Sequence, residues 1–250
     1  MSDTMNIEDY LAQGGVLSAP ENVPARYRGE LMRLMASFVD SELAASAGFA
    51  DSINDAPGIK ERIAASRITL EKADHAERVL GVMESFGTDA KRYQAQHDWA
   101  ARVDRNADLG PARAGGDMRL SVFHYPIEGW ADAVVMNVLQ GLATGVQMDE
   151  LSRVSYAPLA EIFREIAPRE ARHAELGLEG LERLVQTDEG RAEVRAALDY
   201  WTPRVAAGFG VAGSARYDTL RRFGLRHRPN EELRAIWEQR LADALGPLGL

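Results

Sequence analysis

The sequence predicts an all-α protein, and three observations carry that prediction. The chain is rich in Ala, Leu, Arg and Glu, which lose little on entering a helix. Runs of Val, Ile and Thr alternating with period two are nearly absent. Helix-breaking punctuation is confined to Ser18 to Pro24, Asn54 to Pro57, Asn106 to Gly116, Tyr125-Pro126, Gly208 to Gly213 and His227 to Asn230. These breaks bracket segments of roughly 20 to 30 residues, which suits a helical bundle. Helices are expected at about 24–52, 57–87, 88–105, 127–154, 157–185, 188–206 and 229–245. Residues 1–20 are expected to form a loose arm ahead of a single domain over residues 21–250, and the Gly110 to Gly116 loop is expected to be mobile. Pro168 lies within a helical pattern two residues before Glu170, which predicts a kink or a restart there.

Composition excludes several chemistries. With 29 Lys and Arg against 38 Asp and Glu, the net charge of −9 argues against general nucleic-acid binding. The absence of cysteine removes disulfides, thiolate metal sites and a cysteine nucleophile together, so any metal must use His, Asp or Glu. No stretch approaches about 18 consecutive apolar residues, and the acidic first residues do not read as a secretory leader, so the expected location is the cytoplasm without membrane association. No Gly-x-Ser-x-Gly elbow or phosphate-binding glycine loop is present.

Each long helix has an apolar seam, and the residues that interrupt it are informative, because a buried charge needs a partner or a metal. The first seam runs Leu31, Leu34 or Met35, Phe38, Glu42. The second runs Ile68, Lys72, His75, Val79, Val82, Phe86, in the steps of four and three that a bundle requires. A third passes Val134, Val138, Gly141, Gly145 and Met148 without an ionisable side chain. The fourth runs Leu159, Phe163, Ile166, Glu170, His173, Gly177, Gly180, Leu184. A single Glu-x-x-His is a common accident of surface helices; two seam histidines within reach of seam carboxylates predict a converging polar cluster. In ferritin-like carboxylate-bridged sites, two helices each supply a Glu and two each supply Glu-x-x-His. Glu170-Ala-Arg-His173 fits that template, whereas the equivalent step before His75 places Lys72, flanked by Glu71 and Asp74.

Several motifs together resemble the phenylacetic acid catabolic protein family, over about residues 20–250. They are Val23-Pro-Ala-Arg-Tyr-Arg28, Asp40-Ser-Glu42, Glu71-Lys-Ala-Asp-His75, Phe123-His-Tyr-Pro126, Trp130-Ala-Asp132, Arg153-Val-Ser-Tyr156 with Pro158, and Glu170-Ala-Arg-His173. The resemblance is nearest to the oxygenase (alpha) component of the multicomponent phenylacetyl-CoA epoxidase. It implies a ferritin-like bundle with additional C-terminal helices. In that bundle an iron pair, reduced through a partner protein, activates dioxygen to epoxidise the ring of an aryl-CoA thioester. Carried residue by residue, it marks Glu42, His75, Glu170 and His173 as metal-ligand positions; Glu42, Lys72 and Glu170, which meet on the seams, are the candidate catalytic residues of this chain. This chain departs from the pattern twice: Lys72 stands where catalytic subunits have Glu, and Gly141 where they have an acid.

Those departures decide between three readings. Two ferrous ions carry four positive charges, which Glu42 and Glu170 do not balance and a Lys72 ammonium opposes. The favoured expectation is therefore a metal-free or metal-altered scaffold subunit with Lys72 bridging Glu42 and Glu170, like the family's non-catalytic structural subunit. The second is an active diiron or mononuclear oxygenase in which Glu71, Gln140 or solvent replaces the missing ligands. The third is a CoA-thioester binding module without oxygen chemistry. A homodimer, or a heteromer with other oxygenase subunits, is expected. The run Arg216, Arg221, Arg222, Arg226, His227, Arg228 reads either as a phosphate or acidic-partner contact or as a solvated basic segment. Trp130 and Tyr156 are expected to pack, and His97 and His124 to be non-ligands.

Overall fold

Four long helices carry the architecture of the computed structural model, which describes residues 6–113 and 116–250. They are α2 (Ala25–Ser52), α3 (Ile59–Ser85), α5 (Trp130–Leu151) and α6 (Ala157–Leu184). Helices α2 and α3 pack as one antiparallel hairpin and α5 and α6 as another, with α3 against α6 closing the bundle. Three shorter elements, α1 (Ile7–Ala12), α4 (Ala90–Gln94) and α8 (Ala215–Arg222), sit around it, while α7 (Asp188–Ala207) and α9 (Asn230–Leu245) cover α5. Covered by α6, α7 and α9, α5 is buried at 15 of its 22 residues, which explains why its sequence is apolar nearly all round. No strand is formed among the described residues beyond a single parallel bridge between Leu17 and Tyr156. The fold is therefore all-α and consistent with a ferritin-like bundle bearing extra C-terminal helices.

Local chemistry accounts for the helix ends. Pro24 precedes α2 in extended conformation, and the Thr187 and Asp89 side chains accept from the first-turn amides of Gly190 and Arg92. Gly87, at φ 92°, follows α3, and Gly129, at φ 85°, precedes α5, both in backbone that favours glycine.

The core lies in two parts. One contains Tyr27, Leu31, Met35 and Val39 of α2, Val79 and Met83 of α3, and Leu159, Phe163 and Ile166 of α6. The other contains Ala45, Phe49, Ile68, Val134, Val138, Leu181, Trp201 and Trp237. On α2, α3 and α6 the boundary between them falls at Glu42, at Lys72 with His75, and at Glu170 with His173, so one charged layer divides the apolar interior.

Three expectations need correction. The segment expected to be helical over about 88–105 is helical only at 90–94; beyond it, backbone carbonyls are spent on side chains such as Arg102, which donates to the Trp99 carbonyl at 2.7 Å. Helix α6 runs unbroken through Pro168, with neither restart nor interruption, because the proline is on the exposed side where the lost hydrogen bond faces water. The described part of the expected arm is held to the bundle: α1 forms, Leu17 is buried, and its backbone exchanges hydrogen bonds of 2.8 Å with Ser155 and Ala157. Ala114 and Gly115 of the expected mobile loop lie outside the described residues.

Candidate functional site

Each residue singled out on the apolar seams arrives at one place. Glu42 comes from the middle of α2, Lys72 and His75 from the middle of α3, and Glu170 and His173 from the middle of α6. All five are buried, with His75 and His173 fully so. The Lys72 Nζ donates to Glu42 Oε1 at 3.1 Å and to Glu170 Oε1 and Oε2 at 3.2 and 3.3 Å. The His75 Nδ1–H donates to Glu170 Oε1 at 2.9 Å and to Glu42 Oε2 at 3.2 Å. Two carboxylates are thus clasped by one ammonium and one imidazole.

His173 faces the other way. Its Nε2–H donates to Glu71 Oε2 at 2.7 Å, while its Nδ1 stands 3.6 Å from Glu170 Oε1. The two imidazole rings stack at 5.9 Å between centroids, and His75 Nε2 and His173 Nδ1 have no hydrogen-bond partner. Glu71, expected to flank the seam and, in the second reading, to replace a missing ligand, joins the cluster through His173. Its signal was present in the sequence: it lies four residues before His75, beside the seam and half-buried, where a flexible carboxylate can reach across to α6.

The electrostatics follow from burial set against pairing. Burial alone would depress the Lys72 ammonium pKa, but the carboxylates of Glu170 and Glu42 outweigh it and hold it above its ordinary value. Burial likewise works against the Glu170 carboxylate, yet Lys72, His173 and His75 together hold it well below the usual range. The His75 imidazole is penalised by burial and raised on balance by its bonds to Glu170 and Glu42. The stable arrangement is a protonated Lys72 against an ionised Glu170.

The residues present do not fit a dinuclear iron centre. Lys72 places an ammonium within about 3 Å of both carboxylates, at the position a cation would take. On the fourth helix, a Cβ at Gly141 would stand 3.0 Å from Ala174 Cβ and 3.1 Å from its Cα, so a side chain there would require α5 and α6 to part by a few tenths of an ångström. Gln140 is engaged with Thr144 at 3.3 Å. Donor atoms of Glu42, His75 and Glu170 do lie within 4.8 Å of one another, a spacing suited to a single cation, but the Lys72 ammonium is within hydrogen-bond reach of both glutamates.

The other features singled out in the sequence have structural duties. In the basic C-terminal run, Arg216 pairs with Glu30, Arg222 with Glu8 at 3.2 Å, and Arg226 donates to Gln147 at 2.6 Å. Backbone amides of His227 and Arg228 donate to the fully buried Glu150 at 2.5 and 3.1 Å. Most of this run is therefore spent tying the C-terminal segment to α1, α2 and α5. Tyr156 is buried against Phe86, with ring centroids 5.4 Å apart, whereas Trp130 lines a cleft at one end of the bundle. His124 is buried and held below the ordinary imidazole pKa by burial and by Arg119.

The family model described as phenylacetic acid catabolic protein matches residues 5–250. Among curated proteins, a 1,2-phenylacetyl-CoA epoxidase subunit of Escherichia coli (strain K12) is 25% identical over 206 residues, covering 81% of this chain and 62% of that protein. The chain thus spans less than two thirds of the relative's length. No helix among the described residues is long and apolar enough to cross a membrane. The family match runs from near the N-terminus to the last residue, and the seams and motifs lie within it: the chain belongs to the phenylacetic acid catabolic protein family.

Proposed function

We propose that this chain is a metal-free structural subunit of an oxygenase assembly acting on an aryl-CoA thioester, related to the phenylacetyl-CoA epoxidase subunits. Lys72 replaces the metal as the counter-charge that holds the bundle's polar layer together. One observation carries the reading: the Lys72 ammonium, buried and 3.1 to 3.3 Å from the oxygens of Glu42 and Glu170. A protonated lysine there repels a divalent ion and uses the carboxylates that would bind one. Without a metal the chain's work is architectural, and its partner is a catalytic subunit in a heteromer.

Elemental analysis of protein expressed in iron-supplemented medium tests this. Wild type is expected to carry only traces of iron or manganese. Lys72→Glu should raise metal content. Lys72→Glu combined with Gly141→Asp and the space-making Ala174→Gly should approach about two irons per chain. Stoichiometric metal in wild type would overturn the reading. The close donor atoms of Glu42, His75 and Glu170 favour one competing reading, a single cation held with Lys72 turned aside; one tightly held metal per wild-type chain would be its signature. Co-expression with a relative that keeps the full carboxylate set, followed by size exclusion, is expected to give a mixed complex. Two separate peaks would count against the structural role.

A further inference from the structure

One side of α3 is left uncovered. The helix packs on α2 and α6, yet three of the six large apolar side chains exposed on the described surface lie on it: Ile59, Ile63 and Leu70, at 79%, 56% and 69% exposure. Steps of four and seven residues put them on one outward line, and the same line runs on through Glu77, Gly81 and Glu84. Single exposed aliphatics are ordinary, whereas a row of them on one helix face marks an interaction surface.

The charges along this row are ordered. Lys60 and Arg67 lie in its first half and Glu77 and Glu84 in its second, and all four are exposed with no opposite charge within ion-pair distance among the described residues. Their neighbours are matched within the chain, Asp74 by Arg78 at 2.8 Å and Glu61 by Arg183 at 3.0 Å. The four unmatched charges are spaced symmetrically. Arg67 precedes position 72 by five residues and Glu77 follows it by five; Lys60 precedes it by twelve and Glu84 follows it by twelve. The uncharged positions share that centre: Ile63 is nine residues before it and Gly81 nine after, and a Cβ on Gly81 would meet nothing within 4 Å. A surface with this pattern is complementary to itself turned end for end.

We propose that α3 docks antiparallel on α3 of a second copy of this chain, across a two-fold axis level with residue 72. Arg67 then faces Glu77 of the partner subunit and Lys60 faces the partner's Glu84, each pair occurring twice, as an isologous interface requires. Ile63 of each copy covers the partner's Gly81, and the two Leu70 side chains meet beside the axis, about 6 Å apart along the helices. A parallel pairing would set Lys60 and Arg67 against their own copies, so the charges select the antiparallel one. The row is about 39 Å long and about 10 Å wide. An interface that small predicts a reversible dimer in the micromolar range. It uses no side chain of the polar layer, because Lys72 and His75 are buried on the other side of α3, so it holds whether or not that layer carries a metal.

Sedimentation velocity of the full chain over about 1 to 200 µM is expected to show monomer converting to dimer. Leu70→Asp, at an exposed position that leaves the fold intact, sets two carboxylates beside the axis and should abolish the dimer. Arg67→Glu should weaken it about tenfold, the worth of two exposed ion pairs turned repulsive, and Glu77→Arg likewise. Both changes together reverse each pair and should restore the affinity. Because the chain has no cysteine, Ile63→Cys combined with Gly81→Cys should give a disulfide between copies under mild oxidation; within one chain the two positions lie about 27 Å apart. Val211→Asp, at an exposed apolar residue outside α3, should change nothing. A wild type that stays monomeric, a dimer that survives Leu70→Asp, no recovery in the double reversal, or no cross-link would overturn the proposal. Pairing through this face only with a co-expressed relative would overturn it too, while leaving the metal-free reading in place.

Discussion

Two buried polar regions flank each other along α2, and they are built on different terms. In the layer around Lys72, side chains from three helices satisfy one another, and two histidine nitrogens are left without partners. Around Asp40, only two residues before Glu42, charged side chains are spent on backbone. Asp40 accepts from Tyr93 Oη–H and from the Met118 amide, both at 2.7 Å. The buried Arg119 donates to Asp117 at 2.8 Å and to the Asp98 carbonyl at 2.9 Å. The second region is a latch that ties an irregular segment to α2. Latches saturate backbone groups because a loop has no ladder of its own to do so. The first region instead pairs charge with charge across three helices.

The contrast can be broken most sharply at Lys72. Replacing it with Ala leaves two buried carboxylates facing each other, and a loss of about 3–5 kcal/mol is expected in urea denaturation. Adding Glu42→Gln and Glu170→Gln should restore most of it, since the cost lies in unpaired charge; no recovery would show that Lys72 acts mainly through packing. Asp40→Asn should cost about 1.5–3 kcal/mol, the range for hydrogen bonds to a charged group. Its distinguishing mark is faster amide exchange at Met118 and easier proteolysis of the 95–120 segment, with the Lys72 layer undisturbed. Gly141→Asp alone should cost about 1–3 kcal/mol by overpacking against Ala174, and Ala174→Gly should relieve it.

The pH dependence of stability sharpens the comparison more gently. Glu170 is lowered in the folded chain, so its contribution is present above the ordinary carboxylate value of 4.5 and fades as pH falls towards its folded value. His75 is raised, so its contribution is complete below the ordinary imidazole value of 6.5 and fades as pH rises through its folded value. The layer should stabilise most between those two values, and the bell should flatten in the Lys72→Ala variant with both glutamines. A wild-type profile that rises monotonically from pH 4 to pH 8 would contradict the assignment. Smallest of all, Arg222→Ala should cost no more than about 1 kcal/mol, because its pair with Glu8 is solvent-exposed; a larger loss would point to a contact beyond that ion pair.

Much of the polar layer was legible in the sequence because an α-helix converts spacing into direction. Glu42, Lys72, His75, Glu170 and His173 each occupy an apolar seam, and seams meet in a bundle core. Glu71 was less legible: one residue off the seam, it reaches His173 only because α3 and α6 lie at a distance that neither helix encodes alone. The segment after residue 94 departs from its helix-favouring composition because side chains take its backbone carbonyls, Arg102 that of Trp99 and Arg119 that of Asp98, in competition with the helix. Nothing local in the sequence marks the Asp40 latch or the end cleft, since each needs residues from segments far apart in the chain.

By itself the sequence determined the helical class, the four seams and the places of Lys72 and Gly141 on two of them, because periodicity and residue type are properties of single helices. Only the tertiary structure decided that the Lys72 ammonium reaches both glutamates, that His173 turns to Glu71, that Gly141 lies tight against Ala174, and that a cleft remains at one end. These are facts about distances between helices. Such distances are set by the close packing of every neighbouring side chain at once, which no single stretch of sequence specifies.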